Sequence, residues 1–136
     1  MRSKLFLIIN EKENMAKRTY VDGFVISIPK KNKAAYLKMA KEASVVWKQF
    51  GALDYKECVI DDAKPKGVVL TFPKLVQARP TEAVWFSFIV YKSRSHRDAV
   101  NKKVMAYFAK KYGEKMDMPF EMNRFAYAGF KVEVSS

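Results

Sequence analysis

The side chains able to carry chemistry are few, and their spacing excludes more than it offers. His96 is the only histidine among the 136 residues, so a zinc or non-haem iron centre of the usual multi-histidine kind lacks its ligands. Cys58 is the only cysteine, which excludes an internal disulfide and fits a reducing, cytoplasmic setting. A Cys58–His96 nucleophilic pair is the one thiol chemistry to weigh. Against it, a thiol inside a strand is more often a buried, inert side chain, and His96, set between Arg94 and Arg97 at a helix start, reads as an anion contact. The five glycines, at 23, 51, 67, 113 and 129, form neither G-x-G-x-x-G nor G-x-x-x-x-G-K, so both standard phosphate cradles are missing. Asp61 and Asp62 are adjacent carboxylates, but Lys64 and Lys66 follow at once in a loop-like stretch and the pair reads as solvated. None of these patterns calls for a cofactor or a metal.

The stronger candidates interrupt a strand. In Ala83–Tyr91, Val84, Phe86, Phe88 and Val90 make an unbroken apolar set, while the alternates Trp85, Ser87, Ile89 and Tyr91 are mixed. The unbroken set is assigned to the core beneath the helices, which turns Trp85, Ser87 and Tyr91 to the opposite side of the sheet. By the same alternation Asp22 and Tyr127 line that space. Asp22, Trp85, Ser87, Tyr91 and Tyr127 thus supply aromatic rings, hydroxyls and a carboxylate for a small-molecule pocket. The competing reading of this face is a dimer interface with a few satisfied polar groups.

These residues must be positioned by the elements around them. Residues 1–18 read as an N-terminal appendage; their apolar run, Leu5–Ile9, is too short for a secretory signal or a bilayer span. Residues 19–136 read as a single domain. Tyr20–Ile28 alternates as a strand and stops at Pro29. Lys30–Phe50 places Tyr36, Met39, Ala40, Ala43, Val46, Trp47 and Phe50 at helical spacing, with Gly51 placed to end the helix. A second strand is predicted at Leu53–Ile60. The connection that follows carries Pro65, Pro73 and Pro80, and an apolar piece, Gly67–Phe72, that reads as an extra edge strand. After the third strand a helix runs over Arg94–Tyr112, stopped by Gly113, and the last strand spans Arg124–Val134.

Strand, helix, strand, strand, helix, strand is the ferredoxin-like βαββαβ order: an α+β fold with an antiparallel sheet, the first and third strands central, and two helices on one face. The other face would then be bare, and an apolar sheet face in water is larger than a soluble monomer usually shows. A second copy packed sheet to sheet covers it, so a homodimer is expected.

Hydrophobic residues make up 49% of the chain and aromatics 14%, enough for a real core. The formal charge is +12, from 26 Lys and Arg against 14 Asp and Glu, an excess that attracts polyanions without specifying a fold. Lys38 and Lys41 on the first helix, with Arg94, Arg97, Lys102 and Lys103 on the second, are the contacts expected in the alternative reading, nonspecific nucleic-acid binding. The aromatic motif of RNA-reading sheets, K/R-G-F/Y-G/A-F-V-x-F/Y, is absent.

A set of ordered blocks carries a resemblance: Tyr20-Val21-Asp22-Gly23-Phe24; Phe50-Gly51-Ala52-Leu53 with Glu57-Cys58; Phe86-Ser87 through Tyr91 and Ser93 to Arg97-Asp98 and Asn101; then Met118-Pro119-Phe120, Arg124, Tyr127 and Gly129-Phe130. Over about Tyr20–Val132 the chain resembles the small bacterial proteins of domain of unknown function 1428. The resemblance implies a dimeric α+β barrel. It implies no reaction, so no catalytic residue is transferred from it, and the chain lacks the inner-strand histidine of haem-binding cousins.

Overall fold

In the computed structural model, which describes residues 3–8, 19–114 and 116–136, alternation becomes a four-stranded sheet. The strands β1 (Tyr20–Pro29), β2 (Asp54–Val59), β3 (Glu82–Tyr91) and β4 (Ala126–Lys131) lie in the order β2-β3-β1-β4. Every neighbouring pair is antiparallel. The two long helices, α1 (Lys33–Gln49) and α2 (Arg94–Tyr112), carry the chain from β1 toward β2 and from β3 toward β4. Both crossovers start from central strands, as the element order requires.

The barrel implied by the resemblance is not formed. The sheet is open: β2 and β4 stand at opposite edges, each paired with one neighbour only. No ladder joins β2 to β4, and without one the sheet keeps two free edges instead of closing on itself. The piece Gly67–Phe72 is not a strand either. Thr71 accepts a hydrogen bond from the Lys74 backbone N–H at 3.4 Å and caps a single helical turn, Phe72–Leu75. Pro73 in that turn has no N–H to give a ladder. Of the expected appendage, residues 1–2 and 9–18 lie outside the described residues, and residues 3–8 hold a short helical turn that exposes Leu5, Leu7 and Ile8.

A second expectation is inverted. Trp85, Ser87, Ile89 and Tyr91 face the helices, while Val84, Phe86, Phe88 and Val90 face away from them. Trp85 meets Tyr36 of α1 edge to face at 5.0 Å, and Ile89 and Tyr91 join Val46, Val100 and Val104 in one core cluster. Ile26, Ile28, Tyr36, Ala40, Trp85 and Phe120 form the second. The reason lies in the polar tips. A buried hydroxyl costs a few kcal/mol without a partner, and on the helix side the Ser87 hydroxyl finds Glu57 and the Tyr91 hydroxyl finds Asn101. The purely apolar set has no such need and can be left for another surface.

Register then assigns the rest. Tyr20 opposes Tyr91, Asp22 opposes Ile89, and Phe24 opposes Ser87 across β1–β3. Glu57 opposes Ser87, and Tyr127 opposes Phe24. Directly opposed residues share a face, so all of these lie under the helices. Gly129 also faces that side. A Cβ there would fall 2.2 Å from the Tyr20 hydroxyl oxygen, so the missing side chain is what lets the buried Tyr20 ring lie across β4. Gly51, at φ 118°, turns the chain out of α1 in a conformation other residues resist.

A candidate site beneath the helices

The junction of β3 and α2 places the most unusual group. Ser93 caps α2, its hydroxyl oxygen accepting from the His96 backbone N–H at 3.1 Å, and the first helical turn then lays Arg97 across the sheet. Its Nη1 donates to Asp22 Oδ1 at 2.7 Å and also to the Tyr127 hydroxyl. Nε donates to Asp98 Oδ1 at 2.7 Å. The guanidinium stands 5.0 Å from the centre of the Tyr20 ring, within cation–π range. Asp22 is fully buried. Its second oxygen, Oδ2, has no partner in hydrogen-bond geometry among the described residues.

Electrostatics around Asp22 are strong. Burial, reinforced by the Asp22 carboxylate, pushes the Tyr127 phenol up to about 12. The Tyr91 phenol is pushed higher still, by burial first and then by Asp22. Burial works against the Arg97 charge, but Asp98 and Asp22 outweigh it and the guanidinium is held more firmly protonated than usual. Tyr127 remains 45% exposed, so the cluster opens to solvent on the β4 side.

Two satisfied knots flank it. Glu57 on β2 accepts from the Tyr36 hydroxyl at 2.6 Å, the Tyr55 hydroxyl at 2.7 Å and the Ser87 hydroxyl. Burial, then the Glu57 charge, drives both phenols well above their usual range. Asn101 Oδ1 accepts from Trp47 Nε1 and from the Tyr91 hydroxyl, both at 3.0 Å. Polar atoms with all partners in place hold a core in register and leave little for a ligand.

The five predicted pocket residues therefore do share one face, but it is the covered face, and they divide. Asp22 and Tyr127 meet at Arg97; Tyr91 bonds Asn101; Ser87 bonds Glu57; Trp85 is packing. Of the predicted anion contacts, Lys38, Lys41, Arg94, Lys102 and Lys103 are exposed on the helices. Arg97 is not: its side chain is 12% exposed and paired. Cys58 is exposed on the face away from the helices, opposite Phe86. His96 is on the helix side, its Nδ1 accepting from the Lys92 N–H at 3.0 Å, so the two form no pair. Burial, then Lys92 and Lys103, holds the imidazole below its usual range. Among the described residues no group of three or more His, Cys, Asp or Glu is placed to hold a metal ion. No described helix is long and apolar enough to cross a membrane.

Sequence reasoning missed Glu57, Asn101 and the true role of Arg97. One signal was available: Tyr36, Trp47, Tyr55 and Tyr91 all carry polar tips on core stripes, and buried tips of that kind need acceptors.

A profile of the family described as a protein of unknown function, DUF1428, matches residues 19–122. The chain belongs to the DUF1428 family. The uncharacterized protein YbaA of Escherichia coli K12 is 44% identical over 113 residues, covering 82% of this chain and 94% of that protein. YbaA of Shigella flexneri is similar to the same extent. In this DUF1428 protein the matched span contains both partners of the Asp22–Arg97 pair and Glu57 with its hydroxyl donors. It stops short of Tyr127.

Proposed function

We propose that this protein works as a cytoplasmic homodimer that binds a small polar organic molecule at Asp22, Arg97 and Tyr127. The observation that carries the ligand reading is the buried Asp22 carboxylate, one oxygen bound by Arg97 and the other, near the Tyr91 and Tyr127 hydroxyls, with no described residue in full hydrogen-bond geometry, beside a half-exposed tyrosine. Such a cluster suits a compound that offers a hydrogen-bond donor to Asp22 and an acceptor to Arg97. Amino, hydroxy and amide-bearing carboxylic acids have that pairing. The Tyr20 ring, 5.0 Å from the guanidinium, serves as the wall behind it, Trp85, Ser87 and Tyr91 being held in their own contacts with Tyr36, Glu57 and Asn101, and Tyr127, on an edge strand, is the solvent-facing side. Proton transfer is not part of the proposal, because the phenols are pushed out of reach of neutral pH.

The homodimer is supported by the opposite face. Phe86 is 40% exposed and Phe130 56% exposed, with Phe88, Val90, Val21 and Val25 half-buried between them. Contiguous apolar surface of this kind marks an interaction face. Nucleic-acid binding by the helices loses Arg97, its most central residue, to the ion pair.

A thermal-shift screen of amino, hydroxy and amide-bearing acids tests the ligand reading. A compound that binds only the folded state must raise Tm with its concentration, by about 2.7 kcal/mol of stability at a hundredfold excess over Kd. At least one compound is expected to do so with wild type and to lose most of the effect with Tyr127→Phe, which removes the hydroxyl of a half-exposed residue and leaves the core alone. No shift from any compound, or shifts of equal size in Tyr127→Phe and Asp22→Asn, overturns the reading.

A further inference from the structure

We infer that the segment Gly67–Leu75 is a dimerisation arm, packing on a second copy of the chain beside the open sheet face. This rests on the homodimer reading above and adds the residues that complete its interface.

The segment touches its own domain through Phe72 and leaves most of its apolar surface uncovered. Val68 is 49% exposed, Val69 84%, Leu70 64%, Phe72 50% and Leu75 56%. An isolated exposed Leu or Val is ordinary, but five in nine consecutive residues are a patch. The patch is continuous with the open sheet. The Phe72 ring stacks on Phe86 with centroids 6.4 Å apart and an interplanar angle of 7°. Between them lies a small apolar cleft of about 70 Å³, lined by Cys58, Val59, Ile60, Phe72, Val84 and Phe86. The arm is also fixed in place. Behind it, the Arg124 Nη2 donates to the Gln77 carbonyl at 3.0 Å and to Glu82 Oε1 at 3.0 Å, and the Arg79 backbone N–H donates to Glu82 Oε1 at 2.7 Å. Ordering such a segment before association lowers the entropy cost of docking it.

Area argues for a second copy as the occupant. Large side chains bury about 150–250 Å² each when aromatic and somewhat less when aliphatic. On that scale the exposed parts of the open sheet face offer at most about 400 Å² per protomer, below the ~800 Å² per partner of a standard stable interface. The arm adds about as much again on the same scale, which brings the pair to about that size. The charged side chains on the open face, Asp54 and Lys56 of the edge strand, pair with each other at 2.7 Å, and the arm's one cation, Lys74, donates to the Val69 carbonyl at 3.2 Å, so two chains of like charge can meet there without opposing unpaired cations.

Sedimentation velocity of the full chain across a wide concentration range tests the inference with two variants. V69S/L70S alters only exposed side chains and leaves the fold in place, which circular dichroism and Tm at high dilution check. Phe86→Asp alters the sheet face. Wild type is expected to sediment as a dimer, V69S/L70S to raise the dimer Kd at least thirtyfold, and Phe86→Asp to give monomer. A wild-type dimer whose Kd is unchanged in V69S/L70S overturns the arm and leaves the homodimer standing. Wild-type monomer at all concentrations overturns the homodimer and the arm with it. So does a monomer that begins to dimerise only when residues 1–18 are deleted, because the cover is then the chain's own N-terminal segment.

Discussion

Replacing Arg97 by alanine strands the Asp22 carboxylate. Asp22 is fully buried and the Arg97 side chain is 12% exposed, so the pair is nearly cut off from water. Removing one member of such a pair costs about 3–5 kcal/mol, because the remaining charge keeps its desolvation penalty and loses its partner. The cation–π contact with Tyr20 at 5.0 Å adds about 1 kcal/mol. Arg97→Ala is therefore expected to lose about 5 kcal/mol of the ~5–15 kcal/mol typical of a domain. For a chain of this size that lowers Tm by about 15 °C. The double variant D22N/R97M removes both charges and fills the space left by the guanidinium; it should lose less than about 2 kcal/mol. Urea unfolding of wild type, the single variant and the double variant, followed by fluorescence of Trp47 and Trp85, measures all three. If Arg97→Ala costs under 1 kcal/mol, or the double variant is no more stable than the single, the pair is not the buried, coupled unit described.

Other outcomes follow from named contacts. Gly129→Ala sets a Cβ 2.2 Å from the Tyr20 hydroxyl oxygen and should cost about 1–3 kcal/mol by overpacking, read as a lower urea midpoint with an unchanged slope. Glu57→Leu removes the shared acceptor of Tyr36, Tyr55 and Ser87 and should cost more than Ser87→Ala, about 3 against about 1 kcal/mol, because three donors are orphaned instead of one being deleted. The Arg124 guanidinium, partly opposed by burial, holds the Glu82 carboxyl below the usual carboxylate range. A depressed folded-state value means that stability is present above the unfolded carboxylate's ~4.3 and is lost as pH falls below it. Between pH 6 and pH 3 the urea midpoint of wild type should therefore fall more steeply than that of Glu82→Gln; parallel slopes would falsify the assignment.

The sequence made the strand order readable because helical crossovers after the first and third strands leave only one unstrained arrangement. It also placed Asp22, Trp85, Ser87, Tyr91 and Tyr127 on a common face, since alternation of period two needs no knowledge of what covers either side. Which side was covered could not be read that way. An unbroken Val-Phe-Phe-Val set and a Trp-Ser-Ile-Tyr set are both apolar enough to be buried, and the choice turned on partners far away in sequence: Glu57 for Ser87, 30 positions apart, and Asp22 for Arg97, 75 apart. Cys58 came out exposed for the same reason, being on the same side as Phe86. Gly67–Phe72 misled because an apolar run imitates a strand, while the local choice fell to Thr71, which caps a helical turn, and to Pro73, which has no N–H for a ladder.

With the ligand proposed beneath the helices and the second copy on the open face, NMR chemical-shift mapping separates the two sides directly. On titration with a compound that raises Tm, the Arg97 Nε–H and Tyr127 ring signals should move while those of Phe86 and Phe130 stay in place. Movement of Phe86 and Phe130 with Arg97 and Tyr127 unchanged would put the ligand on the open face and contradict the account.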